Sequence, residues 1–553
     1  IISPKNGRVR TKKFVKTIDG INAALIRGLI DITLIPDKMY IALKAELKTA
    51  YRMLKSKKHL LQWITAEEAE KNAGADIFSY YKNMILNTIL GVAGVVIFFL
   101  LINREIYCAF LLIFSLLWLI APGIMCSISK KNKEIYAIDM ISPNEKNYLM
   151  EIGQRTWLYF KENINAEGNY LPPDNYQEDR KPRIVNRTSS TNIGLGLLAV
   201  MASYDLHYEN FEDTIELLYK MIENISNLSK WNGHLYNWYN IETLEPLIPR
   251  YISSVDSGNF VGYLYVLREF LQEKKENIEK ANENVPNEFI GKIDYMLESI
   301  ENIINNTDFS KLYDQENRLF SVGFNVEDGK LTDSYYDLLA SEARQASFVA
   351  ISKKDISEKH WYNLSRTLTT LNGYKGLISW AGTSFEYLMP SINIPQYPGS
   401  ILDESCKFMI MSQLEYSKKL GIPWGISEAA FNLKDLNNNY QYKAFGIPWL
   451  GLKRGLSDEM VVSAYGSILA LNEEPKLVIQ NLKRLEAEKM YNKYGFYESI
   501  DYTPGRNRNG KETVKTYMAH HQGLILLSIN NLMNKNIIQK RFMKNPEMQA
   551  ASI

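Results

Sequence analysis

Two acidic residues, Glu342 and Glu428, stand in surroundings that are unusual for a carboxyl group. Glu342 lies in SYYDLLASEARQ, where helical spacing puts it on one face with Leu338, Leu339, Ala346 and Val349. Burying a carboxylate on an apolar face is costly unless the group is paired or used in chemistry. Glu428, in PWGISEAA, follows a predicted tight turn at the start of a helix, where N–H groups favour an anion. Cleavage or transfer of a glycosidic bond needs two carboxyl groups, and these two are the first candidates.

Each of these groups also has a structural interpretation. Glu342 could form a buried salt bridge with Arg344 or cap a helix, and Glu428 could be an ordinary acid of a first helical turn. Other acids fit loop or capping roles at least as well as binding of sugar hydroxyls: Asp256, Glu386, Asp403, Glu498 and Asp501. Hydroxyl binding is also open to Arg187 and to the adjacent His520, His521 and Gln522.

The residue types give no reason to expect a metal or an organic cofactor. Neighbouring histidines on a helix point about 100° apart, so a metal shared by His520 and His521 is not expected. HExxH, phosphate-binding and dinucleotide-binding motifs do not occur in the sequence. Of the three cysteines, Cys108 and Cys126 lie in an apolar run and Cys406 stands alone. They offer no disulfide framework, which agrees with a reducing compartment.

Aromatic residues are concentrated in loops beside Asn, Asp, Glu, Gly and His. Sugars have apolar C–H faces and hydroxyl rims, so a carbohydrate cleft requires rings next to hydrogen-bonding groups. Any single ring could instead pack a loop onto the core, but the set as a whole favours a sugar-binding cleft. Its members are Trp231, Tyr236, Trp238, Tyr239, Trp380, Phe385, Tyr387, Trp424, Trp449, Tyr497 and Tyr502.

The elements that must position these residues are mainly helices. Amphipathic periodicity predicts helices near 144–164, 191–206, 210–228, 256–275, 285–306, 333–352, 357–371, 401–420, 458–471, 475–489 and 515–534. Long aromatic loops separate them, and strand candidates such as 319–324 are few. About eleven helices with their loops fit a mainly α fold, an (α/α)6 barrel over 143–537, with the loops at one rim. A helical-repeat scaffold is the alternative, although the sequence shows no fixed period.

Before this body come two apolar runs, 84–102 and 106–126, split only by Asn103, Arg104 and Glu105. Each is about long enough to cross a bilayer, so we expect a transmembrane hairpin over 83–128 that returns the chain to its starting side. Residues 1–60 hold 14 Lys and Arg against 4 Asp and Glu, and basic residues follow the hairpin at 129–133. The positive-inside rule then places both ends and the body in the cytoplasm.

The basic segment 1–82 is a poor candidate for nucleic-acid binding. Its positive charges alternate with apolar residues at helical spacing, which predicts amphipathic helices that lie on anionic lipid or pack on membrane helices. An ordinary solvated linker helix is the alternative. The chain begins with Ile, so we expect it to be part of a longer polypeptide, with 538–553 as a tail or a linker to a missing C-terminal module.

Ten loop motifs in this order resemble one known family. They are PPDNYQ, RTSSTNIGLGLLA, HLYNWY, PRYISSVDSGN, YDLLASEAR, SFEYLMP, PWGISEAAFN, AFGIPWLGLKRG, GFYESIDYT and MAHHQG. Together they look like the glycoamylase-like cyclization domain of bacterial cyclic β-1,2-glucan synthases, over nearly all of 143–537. Residues 1–130 resemble the membrane segment that precedes this domain. The glycosyltransferase module and the phosphorylase-like module of those synthases are not in this sequence.

The resemblance implies a bacterial inner-membrane enzyme that closes linear β-1,2-glucan into a ring, with the two absent modules and membrane lipid as its partners. Because a β-linked donor gives a β-linked ring, the anomeric configuration is retained, which normally requires a nucleophile and an acid/base. The resemblance implies that Glu342 and Glu428 are the catalytic pair. We expect Glu342 to be the acid/base, because an apolar face should raise its pKa, and Glu428 to be the nucleophile, because a helix start favours the anion. Proton delivery could be direct or run through a substrate hydroxyl. The substrate-binding set is Arg187, Trp238, Tyr239, Asp256, Glu386, Tyr387, Asp403, Trp424, Tyr497, His520, His521 and Gln522. Two alternatives stay open: an endo-β-1,2-glucanase of the same fold, and a non-catalytic glucan-binding module that sets chain length.

Overall fold

The computed structural model describes residues 24–58, 74, 76–100, 107–129, 136–281, 286–507 and 509–551. These residues fall into two units, one within 12–134 and the other within 135–553. The division agrees with the sequence, which separates a basic and apolar N-terminal part from a larger body.

The N-terminal unit is entirely helical where it is described. Its helices are 24–33, Ile35–Tyr51, a π-helical turn Arg52–Ser56, Ile77–Asn83, Ile85–Leu100 and Tyr107–Ser129. The side chain of Asn87 donates to the Thr33 carbonyl at 2.7 Å, and Trp118 Nε1 donates to the Ile32 carbonyl at 3.2 Å. These bonds anchor the end of the first helix on the two apolar helices.

The helix Ala109–Ser129 is long and apolar enough to cross a bilayer. The helices Ile77–Asn83 and Ile85–Leu100 meet at an angle of 77° and would give a second crossing only if the bent pair is one span. The polar link Asn103-Arg104-Glu105 lies outside the described residues, so the transmembrane hairpin stays a prediction. Helix Ile35–Tyr51 leaves Met39, Leu43 and Leu47 exposed beside its lysines, as the predicted contact with lipid or membrane helices would require.

The body is mainly helical, as predicted. Its α-helices are Pro143–Asn163, Ser190–Asp205, Phe211–Asn227, Ser254–Ala281, Asn287–Asn306, Arg344–Ser352, Lys359–Asn363, Ser384–Leu388, Ile401–Leu420, Ala464–Ile468, Pro475–Ala487, Ala519–Met533, Ile537–Lys544 and Pro546–Ala551. Short 3₁₀ turns occur at Ala137–Met140, Ala166–Gly168, Phe309–Leu312 and Met389–Ile392. The first helix begins with a capping box, since Ser142 and Glu145 each accept the other's backbone N–H.

Two layers of helices are recognisable from burial. Helix Ser190–Asp205 is buried on all sides and contacts Ser254–Ala281 and Ala519–Met533, which makes these three an inner layer. Phe211–Asn227 and Asn287–Asn306 bury one face each, with spacings of three and four residues, and lie outside them. The closure of these layers into a barrel of six helix pairs stays a prediction.

The loops contain more strands than the sequence indicated, all short and antiparallel. Five hairpins or pairs are Asn175–Gln177 with Thr516–Met518, Arg187–Thr188 with Tyr239–Asn240, Lys230–Trp231 with His234–Leu235, Leu368–Leu371 with Tyr374–Leu377, and Tyr491–Asn492 with Gly495–Phe496. A sixth joins Ala429–Lys434 to Tyr440–Lys443. Three-stranded sheets join Tyr251–Ser253, Gly323–Asn325 and Lys330–Leu331; Tyr313–Asp314, Leu319–Ser321 and Tyr335–Tyr336; and Val461–Val462, Ser499–Asp501 and Glu512–Val514.

Three predicted helices are wrong in their extent. The segments 333–352 and 458–471 begin as strands and become helical only at Arg344 and Ala464, and 357–371 ends in the strand Leu368–Leu371. The predicted tail also needs correction: Phe542 and Met548 are fully buried, and Arg541 pairs with Asp205 at 2.5 Å. Residues 537–551 are therefore part of the body.

Candidate active site

Three carboxyl groups, Glu342, Glu386 and Glu428, lie close enough together that the pKa values of Glu342 and Glu428 respond to the neighbouring charges. The negative charge of Glu386 raises the pKa of Glu342, and the charges of Glu342 and Glu386 both raise the pKa of Glu428. In the described part of the chain, none of the three forms an ion pair within 4 Å. Such a concentration of like charge costs stability and is typical of catalytic sites.

Glu342 lies in a turn that precedes the helix Arg344–Ser352, so the predicted apolar helical face is wrong. Its Oε2 accepts a bond from Ser341 Oγ at 3.2 Å. The alternative of a salt bridge to Arg344 also fails, because that guanidinium donates to the carbonyls of Glu386 at 3.1 Å and Tyr387 at 2.5 Å. Burial, and then the charge of Glu386, raise the pKa of Glu342 to about 7.

Glu386 is fixed by its own loop. Its Oε1 accepts the Ala381 N–H at 2.9 Å, and its Oε2 accepts the Thr383 N–H at 2.8 Å and the Ser379 hydroxyl at 2.9 Å. Thr383 also caps the short helix that begins there. Burial raises the pKa of Glu386 despite these donors. With only 4% of its surface exposed, Glu386 is a fixed charge under the site rather than a group that contacts a sugar.

Glu428 lies at a bend that leads into the strand Ala429–Lys434, so the predicted helix start is wrong and gives it no helix-terminal N–H groups. The bend depends on Gly425, whose φ of +126° suits glycine and whose Cβ, if present, would lie 2.4 Å from the Ser463 carbonyl oxygen. Tyr442 donates its hydroxyl to Glu428 Oε2 at 3.1 Å, and Tyr465 donates to the Glu428 carbonyl at 2.7 Å. Burial and the neighbouring charges raise the pKa of Glu428 to about 8.

His521 and Glu498 form a buried pair behind Tyr442. His521 Nδ1 lies 2.8 and 3.0 Å from the two Glu498 carboxyl oxygens, and the His521 ring stacks on Tyr465 with a centroid distance of 3.6 Å. Burial lowers the pKa of His520 to about 3 and that of His521 well below 6.5, and raises the pKa of Glu498 to about 8. Among the described residues, no group of His, Cys, Asp and Glu could hold a metal ion.

Two further predicted residues, Arg187 and Trp238, lie next to this pair and are linked to it through Asp174. Asp174, whose charge acts on Glu498 and His520, accepts bonds from Arg187 at 2.9 and 3.1 Å. The half-exposed Arg187 lies over the Trp238 ring at 4.3 Å, so together they present a flat cationic and aromatic surface.

Asp256 lies in the first turn of the helix Ser254–Ala281 and accepts the Thr191 hydroxyl at 2.6 Å. Close packing of Gly258 against Ala346, where a Cβ would lie 2.2 Å from the alanine Cβ, brings this helix next to the one that follows Glu342. The charges of Glu342, Asp256 and Glu428 all raise the pKa of Tyr336, which therefore lies among them.

Several predicted substrate-binding residues are corrected by their burial. Tyr239 and Tyr387 are at most 1% exposed and donate to the carbonyls of Ser229 at 2.5 Å and Leu377 at 2.6 Å. Trp424 is 5% exposed, and Gln522 is buried with its amide on the Phe496 carbonyl at 3.1 Å. These side chains pack beneath the loops and are too buried to contact a sugar.

Three other predicted residues have local partners. Asp403 accepts the Gly399 N–H and the Lys407 ammonium at 2.7 and 2.8 Å, which is a helix-capping arrangement. The Tyr497 hydroxyl donates to Glu178 at 2.7 Å and accepts from Asn492. Asp501 is fully buried and pairs with Arg506 at 2.9 Å.

The sequence reasoning missed Tyr336, Tyr442 and Tyr465. Tyr442 comes from the strand Tyr440–Lys443, 14 residues after Glu428, and Tyr465 comes from a helix 37 residues after it. Nothing in QYKAFG or SAYGSI marks a functional tyrosine.

Residues 334–546 match the Glycoamylase family model, described as "Putative glucoamylase". Over its whole length the chain is 30% identical to the cyclic beta-(1,2)-glucan synthase NdvB of Rhizobium meliloti, and it spans 23% of that relative's length. The resemblance to a glycoamylase-like domain that the loop motifs indicated is therefore confirmed.

Solved structures with the same fold include a "putative glucoamylase" from Bacteroides caccae, with TM-score 0.60 and 17% identity over 73% of this chain and 98% of that chain. An endo-beta-1,2-glucanase from Chitinophaga pinensis aligns with TM-score 0.58 and 15% identity over 73% of this chain and 97% of that chain. At these identities the likeness concerns the fold alone.

Proposed function

Because the chain carries a glycoamylase-like domain, we propose that it closes linear β-1,2-glucan into cyclic β-1,2-glucan by anomer-retaining transglycosylation, with Glu342 and Glu428 as the catalytic carboxylates. The observation that carries the proposal is the proximity of these two half-buried carboxyl groups, which have raised pKa values and no ion-pair partner among the described residues. The 30% identity to a cyclic β-1,2-glucan synthase over the whole chain supports the substrate and the product.

Retention follows from two displacements at the same anomeric carbon. In the first, a Glu428 oxygen attacks C1, the bond from C1 to the leaving O2 breaks, and that oxygen takes a proton from Glu342, directly or through a substrate hydroxyl. In the second, the O2 hydroxyl at the far end of the same glucan attacks C1, the bond from C1 to Glu428 breaks, and the proton returns to Glu342. The pair thus holds one proton in total at the start of each cycle.

The raised pKa values suit this shared proton. Two coupled carboxyl groups with pKa values near 7 and 8 titrate in two steps, and between the steps they hold one proton. The pKa of Glu428 is the higher of the two, and the charge of Glu386 raises both, so the division of roles does not follow from these values. It rests on one contact: the Tyr442 hydroxyl donates to Glu428 Oε2 and favours the anion that a nucleophile requires.

Ring closure competes with hydrolysis of the glycosyl-enzyme. The free end of the same glucan has a high effective concentration, which favours closure when water is kept away. Asp256, Arg187 with Trp238, and the half-buried His520 are the residues that we propose contact the glucan. We include Tyr336 because it lies near Glu342, Asp256 and Glu428.

For the N-terminal unit we propose attachment to the bacterial inner membrane through a two-helix transmembrane hairpin, with the body on the cytoplasmic side. The apolar helix Ala109–Ser129 and the excess of basic residues before it support this orientation. Since the chain spans 23% of the synthase NdvB, partners in a longer polypeptide, a glycosyltransferase and a phosphorylase-like module, are part of the proposal.

Incubation of the full chain with linear β-1,2-glucan tests the function. Products that resist an exo-acting β-glucosidase and carry no reducing end support cyclization, whereas new reducing ends identify an endo-β-1,2-glucanase. E342Q and E428Q should each abolish conversion, and E404Q is the matched control because Glu404 lies beside Lys407, outside the cluster. Glucan binding without conversion by the wild type would identify a chain-length module, and full activity in both active-site variants would refute the assignment.

A further inference from the structure

Tyr442 has one hydroxyl proton and three neighbouring acceptors. Its strand pairs with the strand that follows Glu428, with Tyr442 opposite Ala430, and this register brings the phenol back over the carboxyl group. The hydroxyl oxygen lies 3.1 Å from Glu428 Oε2, and 3.4 Å from both His520 Nε2 and His521 Nε2.

We assign the proton of the neutral His521 ring to Nδ1, the nitrogen that faces Glu498. A proton on Nδ1 is directed at Glu498, so Nε2 of the neutral ring carries the lone pair that faces Tyr442. Stacking on Tyr465 holds the ring in place, and Tyr465 itself binds the Glu428 backbone. The phenol is therefore held between a rigid neutral ring and the reacting carboxyl group, and the stronger acceptor of its proton is an ionised Glu428.

We propose that Tyr442 is a positioning residue for the reaction, which orients Glu428 and stabilises its ionised form through the bond to Oε2. The proposal deepens the proposed function and rests on it. The same bond acts twice: it favours the carboxylate before attack on C1, and it favours the carboxylate again as the leaving group when the ring closes. It also supplies a donor at a carboxyl group that lacks a helix N-terminus.

Other groups around Glu428 set the direction of the expected pH effect. Glu342 and Glu386 disfavour its anion by their charge, and Lys453 favours it. Tyr465 contacts its backbone, and Tyr336 lies close enough to feel its charge. Loss of the Tyr442 hydroxyl removes one of the two favourable interactions, so Glu428 should bind its proton more tightly.

The test compares Y442F and Y440F in the full chain with linear β-1,2-glucan. The phenylalanine at 442 keeps the ring contacts with both histidines, and thermal unfolding checks that the variant folds. Y440F is the matched control, since that hydroxyl on the same strand donates to Asp179 at 2.8 Å. We expect kcat/KM of Y442F to fall about 10- to 100-fold and the acidic limb of its pH profile to move about one unit higher, with Y440F unchanged.

An unshifted acidic limb in a folded Y442F, or the same loss in Y440F, would overturn the role of Tyr442. A uniform loss of rate with an unchanged profile would also refute it, because that is the effect of a merely structural change. If the wild type converts no β-1,2-glucan, the proposed function itself fails, and the two failures are thereby distinguished.

Discussion

Neutralisation of Glu386 by E386Q should move the whole pH–rate profile toward acid. Glu386 does not reach a substrate, but its charge raises the pKa of Glu342 and of Glu428. The shift of Glu342 from 4.5 to about 7 corresponds to roughly 3 kcal/mol, with burial as the first cause and Glu386 as the second. A like charge in a buried site accounts for about one unit, so both limbs should fall by about one pH unit.

The direction follows from the sign of each interaction. Without the neighbouring anion, both Glu342 and Glu428 ionise more readily, so the state with one shared proton forms at lower pH. At pH 8, on the alkaline limb, the rate of E386Q should be about fivefold below the wild type, approaching tenfold at pH 9, and at acid pH it should exceed the wild type. Initial rates of β-1,2-glucan consumption from pH 4 to 9 measure both limbs.

E404Q makes the same chemical change outside the cluster and should leave both limbs in place. Because a glutamine can accept on one side only, E386Q leaves one of the donors on Ala381 or Thr383 unpaired, and thermal unfolding must show that the loop persists. Limbs that stay fixed in a folded E386Q, or that move in opposite directions, would refute the coupling of the three acids.

Three other predictions follow from the same contacts. With azide, E428G should yield the α-glucosyl azide and E342A the β-glucosyl azide from an activated β-glucoside, read by NMR, and the reverse products would exchange the two roles. Y387F should lower the free energy of unfolding by about 1–3 kcal/mol with KM unchanged, since the Leu377 carbonyl loses its donor; a raised KM would restore Tyr387 to the substrate-binding set. The double variant E342Q/E428Q should unfold at a higher temperature than the wild type at pH 9 but not at pH 4, and a lower unfolding temperature at pH 9 would show that the ionised pair is not a source of strain.

The sequence singled out Glu342 and Glu428, which the fold brings close together, but it predicted their local structure wrongly. The apolar spacing around Glu342 comes from a strand, a turn and a helix in succession. Those three elements give the same pattern of apolar residues as one continuous helix, so periodicity cannot distinguish them. Glu428 was expected at a helix start because Gly and Ser precede it, whereas the chain enters the strand Ala429–Lys434.

Ring exposure and long-range contacts were beyond reach of the sequence. Trp238 and Tyr239 are adjacent in HLYNWY, yet Trp238 lies under Arg187 at the surface and Tyr239 is fully buried. Which of two neighbouring rings faces inward depends on the pairing of a two-residue strand, and the residue types do not predict that pairing. The bond between Glu498 and His521 likewise joins residues that only the fold brings together.

The ionised carboxyl cluster lowers the stability of the folded chain, whereas a structural ion pair raises it. Glu342 and Glu428 have folded-state pKa values above the ordinary 4.5, so protonation of the folded chain stabilises it below that pH, and the stability is lost as pH rises through about 7 and 8. A buried acid with a purely structural role is expected to form an ion pair, as Asp501 does with Arg506 and Asp205 does with Arg541. Glu342 and Glu428 have instead a third carboxyl group nearby and one hydroxyl donor each, Ser341 and Tyr442. This arrangement is unfavourable for the resting fold and would favour the movement of one proton between two oxygens near neutral pH.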